Sequence, residues 1–172
     1  MLAGPVDYTP GIMHLSLNPF KPNNQIKHTI AHELGAYVVI YSPMQMLADL
    51  PDHYRQHPAM PFLREVAVDW EQTRVIAGEP GDFVAIARQE RGSNRWFLGV
   101  VADENRRTLN LPLDFLPPNQ SFSLELYADA PDAHWQHKPD AMVVHRKLVS
   151  ANETLSLTIA PGGGAAAVLR PR

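Results

Sequence analysis

The strongest constraint on the fold of this chain is a change in hydrophobic pattern at Trp70. After Trp70 the chain contains eight runs of six to nine residues rich in Val, Ile, Leu, Phe and Thr, and several of them alternate, as at Phe122, Leu124 and Leu126. The residues between the runs are turn formers, such as EPG, ERGSN, PPNQ and SANE. Short alternating runs that are joined by turns, with no helical segment between them, predict an antiparallel β-sandwich.

Before Trp70 the pattern is helical. Between Gln25 and Tyr41 an apolar residue recurs at every fourth position, which predicts a helix capped by Asn23 or Asn24. The residues that form this apolar stripe are Ile26, Ile30, Leu34 and Val38. The second half of the predicted helix, LGAYVVIY, is apolar on nearly all sides, which indicates that other elements cover it.

The next segment predicts a short strand and a second helix. Ser42–Leu47 is a short apolar run that fits a buried strand. Pro51 suits the first turn of a helix that runs through Gln56. Helix, strand and helix in this order are typical of β/α units, so we predict two structural parts, residues 1–69 and residues 70–172.

Composition limits the classes of partner and site. The chain has 172 residues, 45% of them apolar, and a net charge of -3. It therefore has no basic face for nucleic acid or for an anionic membrane surface. No apolar run approaches the roughly 18 residues that a membrane span requires. The absence of cysteine excludes disulfides and thiolate chemistry.

Two pairs of histidines have the i, i+4 spacing that allows two imidazoles to share a metal on a helix. His28 and His32 lie in HTIAHE, and His53 and His57 repeat the spacing. Glu33 follows the second histidine, whereas the metal motif H-E-x-x-H has its Glu after the first, and no third ligand is evident. We predict histidines that are hydrogen-bonded at a helix surface or an interdomain seam, with a metal site as the alternative.

Two loop features have both a structural and a functional interpretation. The glycines of APGGG, residues 160–164, lie between two strands and have no following Lys and Ser or Thr, which predicts a hairpin turn rather than a phosphate loop. Trp135, in the loop DAPDAHWQHKPD, has an aromatic face that could stack on a sugar ring, although packing is the usual role of tryptophan.

Asp7 is the acidic residue whose position is most suggestive. In GPVDYTPG it follows a short apolar lead and comes just before Tyr8, where a strand would end in a loop. In β/α barrels the C-terminal ends of the strands carry the active site. Asp7 equally fits a structural role, in which its side chain accepts hydrogen bonds within its own turn.

Several separate segments occur in a consistent order along the chain: GPVDYTPG, HELGAYVVIYSPMQMLADLPDHY, VDWEQTRVIAGEPGDFVAIARQ, WFLGVV, LDFL, YAD and IAPGGGAA. Together they resemble the closing segments of glycoside hydrolase family 97, a family of α-glucosidases and α-galactosidases. The resemblance covers essentially the whole chain.

The resemblance implies a three-part parent with an N-terminal β-sandwich, a central (β/α)8 barrel and a C-terminal β-sandwich. This chain resembles an α+β fragment in which residues 1–69 are the last β/α units of the barrel and residues 70–172 are the C-terminal sandwich. The family cleaves α-glycosidic bonds with paired carboxylates, by retention or by inversion, with the help of a calcium ion held by glutamates. Those carboxylates and glutamates precede GPVDYTPG, so this chain is expected to be inactive alone, with no catalytic or metal-binding residue.

The resemblance also implies a binding role and a set of partners. It places Asp7 and Tyr8 in the wall of the active site as substrate-binding residues. The expected partner is an α-linked oligosaccharide or glycoside in the full-length enzyme, and calcium is expected only there. The parent is expected to be bacterial and either periplasmic or secreted. The apolar stripe would meet barrel strands that are missing here, which predicts self-association. The alternative function is a non-catalytic accessory or carbohydrate-binding sandwich.

Overall fold

The structure of the protein, a computed structural model, describes residue 5 and residues 7–16, 20–21 and 24–172. Its elements in chain order are α1 (Ile30–Val39), α2 (Pro51–Tyr54), α3 (Met60–Glu65), β1 (Trp70–Glu79), β2 (Phe83–Glu90), β3 (Trp96–Ala102), β4 (Arg107–Pro112), β5 (Phe122–Asp129), β6 (Met142–Val149), β7 (Thr154–Ile159) and β8 (Gly164–Pro171). Within these ranges, no helix is long and apolar enough to cross a membrane.

The strands form two antiparallel sheets of unequal size. Six strands pair in the order β1-β2-β3-β8-β5-β6, and β4 pairs with β7 in a second sheet. The apolar residues that alternate along β4, β5 and β7 point into the space between the sheets, among them Leu111, Phe122, Leu124 and Leu157. The predicted antiparallel strands are therefore confirmed, and all eight lie where the alternating runs predicted them.

The other face of the large sheet is covered by α1. Ile30, Leu34 and Val38 are almost fully buried, with exposed fractions of 1%, 0% and 0%. They share a second core with residues of β3, β5 and β8, namely Phe97, Tyr127, Ala166 and Val168. The prediction that this stripe is left open for want of barrel strands is wrong, because the sandwich itself covers it.

Two glycines allow α1 to lie directly on the sheet. A Cβ added to Gly35 would come within 2.3 Å of the carbonyl oxygen of Val100. A Cβ added to Gly99, on β3, would come within 2.5 Å of the carbonyl oxygen of Gly35. Side chains are thus absent on both surfaces where the backbones of α1 and β3 meet.

Both ends of α1 are bound by the sandwich. At its start, Thr29 Oγ1 accepts a hydrogen bond from His32 N at 3.2 Å and donates one to Asp129 Oδ1 at 2.7 Å. At its end, Arg88 of β2 donates from Nε to the carbonyl oxygen of Val38 at 2.6 Å. These contacts satisfy polar groups that a helix leaves unpaired at its termini. They also make α1 and the sheet one packed body.

The start of α1 differs from its prediction. The helix begins at Ile30 with Thr29 as its cap, so Ile26 and Asn24 lie before the helix. The alternative cap, Asn23, lies outside the described residues. Thr29 takes the capping role because its hydroxyl reaches His32 N.

The predicted strand at Ser42–Leu47 is not formed. The segment has one isolated parallel bridge, between Tyr8 and Gln45, and the side chains of Met44 and Leu47 are exposed. The Ser42 hydroxyl donates to the carbonyl oxygen of Met44 at 2.6 Å, which turns the chain just after its start. The second predicted helix is confirmed as α2, although it ends at Tyr54, and α3 was not predicted.

The glycine-rich turn joins the two sheets. It connects β7 to β8, and these strands belong to different sheets, so the prediction of a hairpin is wrong although the turn itself is present. Asp129 Oδ2 accepts hydrogen bonds from Ala160 N at 3.0 Å and Gly164 N at 2.9 Å. Because its other oxygen accepts from Thr29, Asp129 joins this turn to the start of α1.

Candidate functional site

Asp7 and Tyr8 lie in a short segment, residues 7–14, at the edge of the helical layer. Asp7 is exposed, whereas Tyr8 is half-buried and forms the parallel bridge with Gln45. Burial, together with the charge of the Glu33 carboxylate, raises the pKa of Tyr8 to about 12. Tyr8 is therefore neutral at physiological pH and retains its hydroxyl proton.

Gly11 is held on both sides of its backbone. Its N–H donates to Oε1 of Glu33, and its carbonyl oxygen accepts from the Tyr54 hydroxyl at 2.6 Å. Its φ is +93°, in the region that favours glycine, and a Cβ here would come within 2.4 Å of the Tyr37 hydroxyl. The glycine is thus required by both the backbone and the space around it.

Asp49 holds the end of the same segment. Its Oδ2 accepts from Met13 N at 2.8 Å and from His14 N at 2.7 Å, while its Oδ1 lies 2.5 Å from His53 Nδ1. Burial opposes ionisation of Asp49, but hydrogen bonds from His14, His53, Leu50 and Met13 outweigh it and lower its pKa to about 2. The carboxylate is therefore a permanent anion that binds backbone N–H groups.

Glu33, Asp49 and Tyr54 thus form a cradle for the 7–14 segment. Sequence reasoning assigned no functional role to Asp49 or Tyr54, and it considered Glu33 only beside His28 and His32. Each of these residues is hydrogen-bonded to a residue that lies 22 or more positions away in the chain, as Glu33 is to Gly11. Spacing motifs do not reveal such contacts. The backbone groups that the cradle binds belong to Gly11, Met13 and His14, which follow Asp7 and Tyr8 in the chain, and the role of Asp7 and Tyr8 in binding a substrate stays a prediction.

The histidine pairs bind protein groups. The rings of His28 and His32 stack with centroids 4.9 Å apart, but His28 Nε2 lies 3.1 Å from Oε2 of Glu33, and His32 Nδ1 lies 3.1 Å from the carbonyl oxygen of Gly163. Burial and the neighbouring His28 lower the pKa of His32 to about 4. This arrangement matches the predicted hydrogen-bonded histidines at a seam between the helix and the sandwich.

The second pair does not share a helical face. His53 lies in α2 and stacks on His14 with ring centroids 4.6 Å apart. His57 lies beyond the end of α2 at Tyr54, and its Nδ1 accepts from Ala59 N at 3.2 Å. Over the described ranges, no group of three or more His, Asp or Glu side chains is placed to hold a metal.

Two cavities lie near these residues. A cleft of about 920 Å³ opens beside the cradle and is lined by Leu47, Asp49, Tyr54, His57, Met60 and Arg64 among others. It shares Asp49 and Tyr54 with the cradle, but its lining does not include Asp7 or Tyr8. A groove of about 590 Å³ lies at the turn between β1 and β2, with His32 in its wall. Of its acidic lining residues, Glu79, Asp82 and Asp103, the last two are paired with Arg107.

Comparison with protein families decides the assignment. Residues 69–170 match the family described as "Glycosyl-hydrolase 97 C-terminal, oligomerisation", which is more than half of the chain. The chain belongs to glycoside hydrolase family 97. The resemblance found in the sequence motifs is thereby confirmed.

Two similar proteins match nearly the whole chain but are much longer than it. A probable retaining alpha-galactosidase from Streptomyces bingchenggensis (strain BCW-1) is 32% identical over 96% of this chain and 23% of its own length. A retaining alpha-galactosidase from Bacteroides thetaiotaomicron is 28% identical over 95% of this chain and 25% of its own length. The chain thus spans about a quarter of the length of these relatives.

A solved family 97 structure shares the fold of the entire chain. The enzyme from Pseudoalteromonas sp. strain K8, in complex with acarbose, has a TM-score of 0.95 and 41% identity, and covers 100% of this chain and 27% of its own. A variant of the same enzyme in complex with panose gives the same values.

Proposed function

We propose that this chain is the C-terminal part of a retaining or inverting α-glycoside hydrolase, an α-glucosidase or α-galactosidase that works in carbohydrate metabolism. The observation that carries the proposal is the likeness of the entire chain, at a TM-score of 0.95, to a family 97 enzyme solved with acarbose and with panose. Since the relatives are about four times longer, the chain would work as one part of a larger enzyme.

Within that enzyme, we propose that residues 1–69 are the last β/α units of a (β/α)8 barrel and that residues 70–172 are the C-terminal sandwich. The family match begins at residue 69, which supports this division. The parallel bridge between Tyr8 and Gln45 supports the barrel units, because α1 lies between these two residues in the chain. Two parallel segments connected through a helix are the repeating unit of such a barrel.

Asp7 and Tyr8 would bind sugar hydroxyls at the end of the first of these segments. The exposed carboxylate of Asp7 can accept hydrogen bonds from two hydroxyl groups, and the neutral hydroxyl of Tyr8 can donate one. The bridge to Gln45 restrains the backbone at Tyr8, and the cradle restrains it from Gly11 onwards, so less conformational entropy is lost when a sugar binds.

The reacting carboxylates are proposed to lie in the rest of the enzyme. Glu33 and Asp49, the acidic residues nearest the 7–14 segment, are bonded to backbone N–H groups of that segment. Calcium is proposed to bind there as well. The part of this chain that the structure describes does not fit a calcium site, since it contains no cluster of three acidic or histidine ligands.

The experiment compares this chain alone with the chain in an enzyme. The 172-residue chain is expected to release no p-nitrophenol from p-nitrophenyl α-glucoside or α-galactoside above background. A chimera in which it replaces the matching part of the Pseudoalteromonas enzyme is expected to be active. In the chimera Asp7→Ala is expected to raise KM about tenfold, the scale of one lost hydrogen bond to a charged group. Activity of the chain alone, or an inactive chimera, contradicts the proposal.

The alternative function as a carbohydrate-binding module depends on Trp135. Trp135 is half-buried, and a Cβ added to Gly162 would come within 2.7 Å of its Cβ, so the side chain packs closely on the turn between the sheets. Its backbone carbonyl oxygen accepts from Nε2 of Gln25 at 2.9 Å. These contacts favour a packing role, and binding of soluble maltooligosaccharide to this chain with loss in Trp135→Ala would favour the module instead.

A further inference from the structure

Three consecutive polar groups of the backbone at Pro10 and Gly11 are hydrogen-bonded. Ala48 N donates to the carbonyl oxygen of Pro10 at 3.0 Å, and the next residue, Gly11, is bonded through both its N–H and its carbonyl oxygen. Glu33 is the acceptor for the N–H and Tyr54 is the donor to the carbonyl oxygen. Gly11 lies four residues after Asp7, so the orientation of the Gly11 backbone affects where Asp7 and Tyr8 lie.

Glu33 is itself fixed in orientation. Its exposed fraction is 5%, and its two oxygens have different partners, Gly11 N on Oε1 and His28 Nε2 at 3.1 Å on Oε2. A buried carboxylate that accepts from a backbone N–H makes a stronger bond than a neutral acceptor does. Glu33 lies in the first turn of α1, the helix that the sandwich holds at both ends.

We propose that Glu33 is a positioning residue that acts through the Gly11 N–H to hold Asp7 and Tyr8 where they contact the sugar. This inference rests on the proposed function, in which Asp7 and Tyr8 bind substrate. In this arrangement the sandwich holds α1, Glu33 of α1 holds Gly11, and Gly11 holds the residues that contact the sugar. A purely structural role for Glu33, such as a favourable charge at the start of a helix, would change stability without changing how substrate binds.

The first measurement is hydrogen exchange at the Gly11 amide in the 172-residue chain. Glu33→Ala is expected to accelerate exchange at this amide at least tenfold, because its acceptor is lost. Glu33→Gln keeps a carbonyl oxygen at the same position and is expected to stay within threefold of the original rate. The control is Glu65→Ala. Glu65 lies on α3 and pairs with Arg170, so its removal should leave the exchange rate of the Gly11 amide unchanged.

The second measurement is the kinetics of the chimera with the Pseudoalteromonas enzyme. Glu33→Ala is expected to raise KM about tenfold with kcat within twofold, and Glu33→Gln to restore most of the affinity. If Asp7→Ala raises KM and Glu33→Ala changes neither KM nor the exchange rate, the positioning role is refuted and the proposed function stands. If Asp7→Ala has no effect on KM, the proposed function fails and this inference fails with it.

If Glu33→Ala does not fold, a second substitution, Tyr54→Phe, tests the same positioning of Gly11. Tyr54→Phe removes both the donor to the Gly11 carbonyl oxygen and the acceptor for Asp49 N at 2.8 Å, and it leaves the Glu33 side chain in place. If Glu33→Ala does not fold, Tyr54→Phe is expected to raise KM at least threefold in the folded chimera. An unchanged KM in that folded variant overturns the proposal.

Discussion

At the scale of single residues, Asp129 binds three distant groups with one buried carboxylate. It accepts from Thr29 Oγ1, Ala160 N and Gly164 N, and burial raises its pKa. We expect Asp129→Ala to lower the free energy of unfolding by about 3 kcal/mol, because it leaves buried donors without acceptors. Asp129→Asn should cost only about 1 kcal/mol, since its carbonyl oxygen still accepts and no charge is buried. Urea denaturation at pH 7 measures both.

A matched control for Asp129 is Asp132, whose carboxylate pairs with Lys138 at 2.5 Å on the surface. Asp132→Ala is expected to change the free energy of unfolding far less than Asp129→Ala does, because exposed ion pairs contribute little to stability. Equal losses in the two alanine variants would contradict the role of Asp129.

The lowered pKa of His32 predicts how the stability of the chain depends on pH. Its pKa is lowered to about 4 in the folded chain, mainly by burial and then by His28, against 6.5 when unfolded. Between these values the unfolded chain binds a proton that the folded chain does not, so stability is lost as pH falls from 6.5 to about 4. His32→Gln is expected to remove up to about 1 kcal/mol per pH unit of this dependence. Thermal unfolding across this range measures it.

The control for this pH effect is His137→Gln, since His137 is exposed in the loop after β5. Its profile should follow that of the unchanged chain. If His32→Gln also keeps the full slope below pH 6.5, then His32 does not cause the loss.

The residue-scale features differ in how far the sequence predicted them. The i, i+4 spacing predicted that His28 and His32 lie side by side, and their rings do stack. Spacing gave no sign of Asp129, because its partner Thr29 is 100 positions away in the chain. The same limit applies to Glu33 and Gly11, which are 22 positions apart. Local patterns report local neighbours, and these contacts form only when the whole chain is folded.

At the scale of elements, the contact of α1 with β3 depends on the missing side chain at Gly35. A Cβ there would lie 2.3 Å from the carbonyl oxygen of Val100 and 2.8 Å from that of Ala165, and backbone atoms cannot rotate away. We expect Gly35→Ala to lower the free energy of unfolding by about 2 kcal/mol, although alanine favours helices. Gly78→Ala, whose Cβ would meet nothing closer than 3.3 Å, is the control and should cost clearly less. If both variants lose the same free energy of unfolding, the close contact of α1 with β3 at Gly35 is not what makes Gly35→Ala costly.

The elements were predicted best where their signal is local. Alternation, runs of apolar residues and turn residues predicted all eight strands, and the alternation is clearest in β4 and β7, which bury one face and expose the other. The run Ser42–Leu47 misled because its apolar residues are exposed in this chain, so apolar character did not reflect burial in a sheet.

At the scale of the whole molecule, one sheet separates two cores. Phe122 and Leu124 of β5 face the small sheet, while Tyr127 of the same strand faces the helical layer. The sequence predicted the first core from strand alternation. It did not predict that α1 supplies the second, because alternation shows which residues share a face and not what covers that face. The division at residue 69 therefore separates segments that pack on each other.

This shared packing predicts the behaviour of fragments. A fragment of residues 70–172 lacks α1 and exposes a face that contains Phe97, Tyr127, Ala166 and Val168. Exposed apolar faces of this kind bind other surfaces, so we expect the fragment to self-associate in size-exclusion chromatography and to bind a hydrophobic dye. A fragment of residues 24–172 keeps α1 and the bond between Thr29 and Asp129, and should unfold at a higher urea concentration. If residues 70–172 stay monomeric, bind no dye and match the longer fragment in stability, then α1 is not required to complete the sandwich.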